Sequence, residues 1–555
     1  MLICVEERKM QKPALFAIFF VFIFFIVPQP RISLASESHN QDQDYLKFVN
    51  DATKFPSKQY YDYIVVGGGT VGCPLAATLS KSHSVLLLER GSSPYERPEV
   101  LLQANLFTNI LEADDKDSPA QAFTSEDGIP NVRGRILGGG TMINFGFYSR
   151  ADPYFYAKSG IEWDMKLVNE SYKWVEETIV FKPILGTWQS SVKEALLEAG
   201  NGPDNGFTFD HIIGTKIGGS IFDGNGRRHG AVELLNKAVS KNIRVAIHAT
   251  VERVIFSSNS SGLSAVGVIY SDSRGMLHRA MLKPKGEVIL SAGTLGSPQL
   301  LLLSGVGPKS YLSSLSIPIV KHHPLVGQFL VDNPRFDVNI APPFQVGDSK
   351  ISIAGITKDY YIEAASGSYP FDSPVSFILF PNPSPPVNFT VLSIVQKLSR
   401  PFSKGSLRLA SSTNVRRTPK VRFNYLSNPN DLANCVLGTK NLDRLINSKA
   451  METYKFQGQN GTKEFKFVGL SLPENKSDDV AFETFCHKML TTIYHYHGGC
   501  VVRKVVDPRF RVLGIDALRV VDGSTFTSTP GTNPQATLMM LGRYVGLRMQ
   551  EERKP

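Results

Sequence analysis

The segment around residue 65 combines two short apolar runs with a glycine-rich turn and a helical pattern. Residues 63–66 (Tyr-Ile-Val-Val) and 85–88 (Val-Leu-Leu-Leu) are uninterrupted apolar runs, typical of strands buried on both faces. The glycine-rich residues 67–72 follow the first run, and residues 74–79 have a helical pattern. A strand, a turn, a helix and a second strand in this order predict a parallel βαβ unit.

The remaining pattern predicts a second, antiparallel region. Residues 331–430 alternate short apolar runs with proline-rich loops, which favours an antiparallel sheet, and residues 36–60 predict a short lead-in helix or tail. The fold class is therefore α/β with an additional α+β part. Further strands are predicted at 245–247, 251–256, 266–270, 288–290 and 518–521. Further helices are predicted at 192–197, 232–239, 298–303 (with Pro298 in its first turn), 431–448, 479–490 and 535–549.

The first 35 residues have the three parts of a secretory signal peptide. Basic residues at 8, 9 and 12 precede an apolar run over 14–27, and small residues at 33 and 35 follow. The run is shorter than the roughly 20 residues needed to cross a bilayer. We expect cleavage after this segment, with an uncleaved anchor as the alternative. The sequence contains no second run of spanning length, so we expect no stable membrane span after cleavage.

Glycosylation sequons and cysteine usage support the secretory route. Asn-x-Ser/Thr triplets begin at Asn169, Asn259, Asn388, Asn460 and Asn475. The five cysteines form no Cys-x-x-Cys pair and no zinc-like spacing with histidine, so we expect no metal site. We expect a protein of the secretory pathway, extracellular or vacuolar, where a disulfide is permitted.

Length and charge set limits on the class of protein. The chain has 555 residues, too many for one ordinary core, so we expect two domains or one domain with insertions. Apolar residues make up 42% and charged residues 20%, close to globular averages, which excludes a disordered or collagen-like chain. The net charge of +10 comes from scattered basic residues, so we expect no nucleic-acid partner.

The glycine turn has the spacing of a dinucleotide-binding fingerprint. Gly67 permits the tight turn, Gly69 allows close approach to a pyrophosphate, and Gly72 lets the helix pack on the sheet. The helix start at 70–71 offers N–H groups and positive potential to phosphates. Glu89 ends the second strand, where an acid accepts hydrogen bonds from ribose hydroxyls, which favours FAD or NAD over NADP. The alternative is a purely structural glycine turn.

Three further segments identify a family. Residues 134–144 (Gly-Arg-Ile-Leu-Gly-Gly-Gly-Thr-Met-Ile-Asn), 293–307 and 521–535 resemble, in order, the motifs of the glucose–methanol–choline (GMC) flavoproteins. The resemblance spans about residues 60–550. It implies a Rossmann-like FAD-binding domain (60–150, 225–330 and 505–555) and a substrate-binding domain on an antiparallel sheet (151–224 and 331–504).

The resemblance also implies which residues hold the cofactor. Val251 would lie beside the adenine, although it could equally be a core residue. Ile143 stands where some relatives carry a histidine bonded covalently to the flavin, so we expect non-covalent FAD. The predicted FAD-binding residues are Gly67, Gly69, Thr70, Val71, Gly72, Glu89, Arg135, Gly138, Gly139, Gly140, Thr141, Asn144, Val251, Gly293, Asp522, Gly523, Asn533, Pro534 and Gln535.

The segment Tyr494-His495-Tyr496-His497-Gly498-Gly499 supplies the predicted chemistry. The family places its catalytic base in a His-x-x-Gly motif, which His495 matches. In an extended backbone His497 would point the other way, because side chains alternate along a strand. The second catalytic group of the family, a histidine or asparagine, is Asn533 here.

Within the family, the chain resembles the plant mandelonitrile-lyase-like branch. That branch bridges positions matching Cys435 and Cys486, which implies a disulfide here. Three departures argue against lyase activity: the lyases carry a second histidine at the position of Asn533, a tyrosine at Ile493, and a cysteine in the substrate domain, whereas this chain has no cysteine between 73 and 435.

Three functions remain open from the sequence. The first is FAD-dependent oxidation of an alcohol CH–OH group, with His495 as base and Asn533 holding the substrate oxygen. The second is cleavage of an aromatic cyanohydrin without net redox chemistry. The third is a non-enzymatic FAD-binding protein. For either enzyme we expect a small-molecule alcohol or cyanohydrin as the substrate, and a monomer.

Overall fold

A computed structural model describes residues 44–553, except 112, 115–116, 261, 370–388 and 459. The predicted signal peptide and the sequon at Asn388 lie outside the described residues. No helix within the described residues is long and apolar enough to cross a bilayer. The same residues contain no cluster of histidine, cysteine and carboxylate side chains suited to a metal ion.

The first of two eight-stranded sheets is built around the predicted βαβ unit. Its central strands are parallel and apolar on both faces, because helices and other chain segments cover the sheet. The predicted strands at 251–256 and 266–270 form one edge of this sheet, where the pairing is antiparallel. The strand order is Val49–Asp51, Ile243–Ile247, Val85–Leu88, Lys58–Val66, Leu277–Leu290, Gly262–Ser271 and Thr250–Asn259, with Leu518–Val520 also paired to Leu277–Leu290.

The second eight-stranded sheet is antiparallel except at one edge, where two short strands run parallel. It confirms the antiparallel arrangement predicted for the part of 331–430 that the structure describes. The strand order is Lys466–Phe467, Pro334–Ala341, Phe389–Leu398, Tyr360–Tyr369, Ile353–Ile356, Gly214–Ile217 and Asp204–Phe207, with Thr491–Thr492 also paired to Pro334–Ala341.

Smaller sheets and the helices complete the described chain. The other strands are Ala120–Thr124, Pro130–Gly134, Phe147–Tyr148, Gly219–Ser220, Val306–Gly307, Lys321–His322, Gln328–Val331, Gly405–Arg408, Lys420–Arg422, Phe456–Gln457, Lys463–Glu464 and His497–Gly499. The α-helices are Gly72–Leu79, Thr108–Leu111, Pro153–Lys158, Met165–Ile179, Thr187–Glu198, Gly293–Leu303, Lys309–Ser314, Pro429–Ile446, Asp479–Met489 and Gln535–Glu552. The 3₁₀ turns are Asp44–Phe48, Ala52–Lys54, Pro98–Leu101, Gln103–Asn105, Gly139–Met142, Ala231–Lys237, Ser240–Asn242, Lys449–Tyr454 and Gly523–Thr525.

The strands of the two sheets come from largely different stretches of the chain. The strands of the first sheet lie in the ranges predicted to bind FAD, apart from Val49–Asp51 and the first two residues of Lys58–Val66, and all strands of the second lie in the other ranges. The described residues form one compact unit, so the division into two domains stays a prediction.

Three predictions of local structure are wrong. The helix predicted at 232–239 is the 3₁₀ turn Ala231–Lys237. The helix predicted at 298–303 begins at Gly293, so Pro298 lies inside it rather than in its first turn. The described part of the lead-in segment forms 3₁₀ turns around the short strand Val49–Asp51, which adds to the edge of the parallel sheet.

Helix Gln535–Glu552 packs closely on helix Gly72–Leu79, because it has glycine at two of the contact positions. A Cβ atom on Gly542 would lie 2.4 Å from the carbonyl oxygen of Val71, and one on Gly546 would lie 2.8 Å from Thr78 side-chain atoms. Real Cβ atoms do not approach so closely, so only glycine permits this helix crossing. The crossing brings the start of helix Gln535–Glu552 close to the glycine turn.

A disulfide joins Cys435 on helix Pro429–Ile446 to Cys486 on helix Asp479–Met489, as the family resemblance implied. We expect replacement of both cysteines by alanine to lower the free energy of unfolding by about 4 kcal/mol, because the bridge closes a 51-residue loop in the unfolded chain. Denaturant unfolding of the wild type, with and without reductant, and of the alanine variant measures this loss of free energy. Alkylation of both thiols in unreduced protein would contradict the bridge.

Candidate active site

One cavity connects the glycine turn at residue 67 with the histidine segment at residue 495. Its wall includes the predicted residues Gly67, Gly69, Thr70, Val71, Glu89, Gly139, Gly140, Val251, Gly293, His495, Asp522, Gly523 and Pro534. The predicted residues that do not line it are Gly72, Arg135, Gly138, Thr141, Asn144, Asn533 and Gln535. Most of these pack directly behind the wall, as the contacts below show.

The first glycine turn can be formed only by glycine. Gly67 has φ +105°, and its N–H donates to the carbonyl of Leu88 at 2.8 Å. A Cβ on Gly67 would lie 2.3 Å from the carbonyl oxygen of Ser291, and one on Gly72 would lie 1.9 Å from the carbonyl oxygen of Gly67. The strand therefore turns tightly into helix Gly72–Leu79. No side chain within the described chain caps that helix start, which leaves N–H groups for an anion.

The second glycine run lies directly against the first. The N–H of Gly138 donates to the carbonyl of Gly68 at 2.6 Å. Gly139 has φ +59°, and a Cβ there would lie 2.8 Å from the Cα of Gly69. Two bare backbone segments thus form one wall of the cavity. Such a wall fits a diphosphate, which needs close backbone approach and N–H donors.

The Glu89 carboxylate holds the turn and also faces the cavity. One oxygen accepts from the N–H of Gly68 at 2.9 Å and the other from the N–H of Gly91 at 2.8 Å. Each carboxylate oxygen can accept a further hydrogen bond. The predicted interaction with ribose hydroxyls is compatible with this geometry and stays a prediction.

The predicted residues behind the wall form polar contacts within the protein. The Arg135 guanidinium donates to Asp114 at 2.7 Å, away from the cavity. The Asn144 amide donates to Gln535 at 2.9 Å, joining the second glycine run to the last helix. Arg228, which the sequence analysis did not identify, is fully buried and donates to the carbonyls of Thr141 (2.8 Å) and Asn144 (2.7 Å).

Asp522 connects its own turn to helix Gly293–Leu303 at the cavity. Its carboxylate accepts from the N–H of Gly293 at 2.9 Å, the hydroxyl of Ser297 at 2.5 Å and the N–H of Ser524 at 2.8 Å. Burial raises the pKa of Asp522 above its ordinary value, opposed by these hydrogen bonds. Gly293 has φ +80° and open space where a Cβ would stand, so backbone rather than a side chain faces the cavity there.

His495 lines the same cavity from a different segment of the chain. Its Nδ1 is 3.2 Å from the hydroxyl of Tyr361, and its backbone N–H donates to Asp332. Burial, then the positive charge of Lys397, then His497 lower the pKa of His495 well below its ordinary value. The imidazole is therefore neutral at physiological pH, the form required of a general base.

His497 also borders the cavity, and the extended backbone on which the expectation for its direction depended is not present around His495. Tyr494 has φ +63°, and regular strand begins only at His497, so the simple alternation of side chains does not apply. The ring Nδ1 of His497 lies 3.4 Å from the carbonyl oxygen of His495. Burial lowers the pKa of His497 to about 4.

Asn533 lies beside a buried ion pair. Its side chain is close enough to Glu363 to lower the pKa of that carboxyl, against the larger, opposing effect of burial. Glu363 pairs with Lys397, and both side chains are fully buried. The Asn533 Oδ1 atom is buried and has no hydrogen-bond partner among the described residues. Asn533 therefore has unused hydrogen-bonding capacity beside a charged pair.

The comparisons with known proteins agree with this architecture. Two family profiles described as GMC oxidoreductase match residues 61–335 and 401–542. The chain belongs to the GMC oxidoreductase family. Its cofactor is FAD. The wall formed by the glycine runs 67–72 and 138–140, called the glycine cradle below, and the uncapped start of helix Gly72–Leu79 both fit this cofactor.

Two similar GMC oxidoreductases carry different activities in their names. "Sinalpyl alcohol oxidase Nec3" from Nesocodon mauritianus is 54% identical over 539 residues, covering 96% of this chain and 97% of that protein. "(R)-mandelonitrile lyase 3" from Prunus serotina is 52% identical over 546 residues, covering 98% and 95%. A formate oxidase crystal structure shares the GMC fold at TM-score 0.76 and 20% identity, covering 90% of this chain and 99% of that one.

We expect the FAD of this GMC oxidoreductase to be bound without a covalent link. Ile143, where some relatives attach the flavin through histidine, has an unreactive side chain and is buried. Acid precipitation should therefore leave yellow FAD in the supernatant, with the pellet colourless. Flavin that remains with the precipitated chain would contradict this expectation.

Proposed function

We propose that the protein oxidises the CH–OH group of an aromatic primary alcohol with FAD, with His495 as the general base. The observation that carries the proposal is the position of the His495 imidazole on the wall of the same cavity as the glycine cradle, where burial lowers its pKa. A sinalpyl alcohol oxidase among the similar relatives supports the substrate class. We propose 4-hydroxycinnamyl alcohols, such as sinapyl alcohol, as the first substrates to examine.

The chain's own residues have separate tasks in this reaction. His495 accepts the hydroxyl proton at its free ring nitrogen. Asn533 donates a hydrogen bond from its amide to the substrate oxygen and holds the developing alkoxide without protonating it. Bound FAD supplies a hydride acceptor for the carbinol carbon. The closely packed glycine walls hold the diphosphate of the cofactor.

The second candidate is cyanohydrin cleavage, which the mandelonitrile lyases among the relatives support. The charges around His495 and Asn533 argue against it. Cyanide leaves as an anion and requires cationic or strong donor groups around it. Lys397 is a buried cation whose charge acts on His495, and the Glu363 carboxylate already pairs with it. Asn533 is neutral. The arrangement favours a transient alkoxide over a departing anion.

A parallel assay separates the two reactions. The purified protein is incubated in one set with sinapyl alcohol and in another with racemic mandelonitrile, and aldehyde formation and cyanide release are measured. We expect aldehyde from the alcohol and cyanide at the rate of the heat-inactivated protein. Efficient cyanide release without alcohol oxidation would replace the proposed function by the lyase.

Asn533→His should shift the protein toward lyase chemistry. The adjacent Glu363 carboxylate would favour the protonated imidazole, which stabilises departing cyanide but protonates an alkoxide. We expect the ratio of cyanide release to flavin reduction to rise by about tenfold or more. Asn533→Gln, which keeps a neutral amide, is the control. A wild-type protein that already cleaves mandelonitrile well, and a variant that is no better, would contradict the role assigned to Asn533.

We also propose that the protein follows the secretory route as a monomer. The disulfide between Cys435 and Cys486 supports an oxidising compartment. Three sequons, at Asn169, Asn460 and Asn475, have exposed side chains that a glycosyltransferase could reach. A mass decrease on enzymatic deglycosylation of protein made in plant cells would test the route.

A further inference from the structure

One strand of the antiparallel sheet contacts both candidate catalytic residues. In strand Tyr360–Tyr369, Tyr361 and Glu363 are two residues apart and so share a face of the sheet. The Tyr361 hydroxyl lies 3.2 Å from Nδ1 of His495. The Glu363 carboxylate lies close enough to the Asn533 side chain for Asn533 to lower its pKa. His495 and Asn533 are far from this strand in sequence, so the two contacts are independent.

A buried cation completes the arrangement. Lys397, on the neighbouring strand, is opposite Tyr361 in register; its ammonium pairs with Glu363 and lies 5.3 Å from the centre of the Tyr361 ring. Tyr361, Glu363 and Lys397 are all fully inaccessible to solvent. An ion pair in such a position stabilises a fold little, and often less than apolar residues of the same volume. Core packing alone therefore gives a weak reason for these side chains.

We infer that Tyr361 and Glu363 are positioning residues, which fix the orientation of His495 and Asn533 for the proposed reaction. The inference rests on the proposed function. The ring Nδ1–H of His495 donates to the Tyr361 oxygen, which leaves Nε2 without a proton and free to act as the base. One amide N–H of Asn533 donates to Glu363, which leaves the second N–H for the substrate oxygen.

The other groups around His495 are compatible with this assignment. Burial raises the pKa of the Tyr361 phenol well above its ordinary value, so it stays neutral. The nearby Asp332 carboxylate accepts from the hydroxyls of Tyr425 and Thr492. Lys397 and His497 both disfavour a protonated His495. Of the described residues around this ring, the Tyr361 hydroxyl is the hydrogen-bond partner of Nδ1.

The first test is Tyr361→Phe, which removes one hydroxyl and keeps the ring beside Lys397. We expect the limiting rate of flavin reduction by sinapyl alcohol to fall about 10- to 100-fold, the size of a lost orienting contact, with little change in the apparent Kd of the alcohol. The matched control is Tyr360→Phe. Tyr360 is its neighbour, and its hydroxyl accepts from Asn441 at 2.9 Å, at a distance from the histidine segment. Equal rates in the two variants would overturn the role of Tyr361.

The second test compares two double variants that both remove the buried charges. Glu363→Gln with Lys397→Met keeps an acceptor for the Asn533 amide, whereas Glu363→Leu with Lys397→Met does not. The variants are titrated with 4-hydroxybenzaldehyde, and the change in flavin absorbance gives the affinity for the aldehyde. This affinity reports the hydrogen bond from Asn533 to a substrate oxygen and requires no turnover. We expect the leucine variant to bind the aldehyde about tenfold more weakly than the glutamine variant. Equal affinities would overturn the role of Glu363.

Both double variants lack the Lys397 charge that lowers the pKa of His495. We therefore expect the acid limb of the pH–rate profile to move to higher pH in both variants relative to wild type, whereas the affinity for the aldehyde should differ between the two. Failure of the proposed function is separately visible in the wild type. If wild-type protein releases cyanide and leaves FAD oxidised, the same variants are compared by cyanide release, because the lyase reaction needs the same base in the same orientation.

Discussion

His495→Gln should slow flavin reduction by the alcohol about 10²- to 10⁴-fold, the usual cost of losing a general base. Glutamine is close in size and keeps polar atoms, but cannot accept the hydroxyl proton. The FAD content should stay at the wild-type level, because His495 is not part of the glycine cradle. Anaerobic stopped-flow measurement of the oxidised flavin band gives the rate, and the absorbance ratio of flavin to protein gives the FAD content.

His83→Gln is the matched control for this variant. His83 follows helix Gly72–Leu79 and packs against Tyr63, outside the cavity wall, so its replacement should leave the rate within a few-fold of wild type. His497→Gln identifies the alternative base. If His495→Gln keeps a rate within a few-fold of wild type while His497→Gln loses it, the assignment of the base to His495 is wrong.

Gly139→Ala should yield protein that is largely free of FAD. The new Cβ would lie 2.8 Å from the Cα of Gly69, at a position with φ +59°. Overpacking costs about 1–3 kcal/mol and the left-handed conformation about 1–2 kcal/mol more, together enough to weaken cofactor binding about 100-fold or more. The flavin-to-protein absorbance ratio after gel filtration measures the loss.

Gly128→Ala separates backbone strain from the clash. Gly128 also has a left-handed backbone, with φ +82°, but a Cβ there meets no atom within 4 Å. We expect this variant to lose about 1 kcal/mol of stability and to keep its FAD. Full FAD occupancy in Gly139→Ala would show that the two glycine runs separate readily, and would contradict the tight cradle.

The cofactor end could be predicted from the sequence because its signals are local. The fingerprint Gly67–Gly72 depends on steric limits within a few residues, and the structure shows the close contacts that exclude side chains there. The buried strands on either side were equally visible as apolar runs. The end of the cavity formed by His495 was predicted from a motif, since its four residues lie together in the chain.

The residues that contact His495 and Asn533 from the antiparallel sheet could not be predicted from the sequence. Tyr361 is 134 residues from His495, and only the strand register places it there. The one available signal was an isolated acid, Glu363, and an isolated base, Lys397, in two strands that are otherwise largely apolar. Arg228 gave no signal. Pro298 and Ala231–Lys237 were assigned wrongly because tertiary packing, rather than local propensity, decides those segments.

Anaerobic bleaching of the bound flavin by sinapyl alcohol tests the central claim most directly. The protein is mixed without oxygen with the alcohol, once unlabelled and once deuterated at the carbinol carbon. We predict that the unlabelled alcohol bleaches the flavin and that the deuterated alcohol bleaches it more slowly. We also predict that His495→Gln loses the bleaching. Flavin that stays oxidised with this and other aromatic alcohols, while the same sample releases cyanide from mandelonitrile, would contradict it.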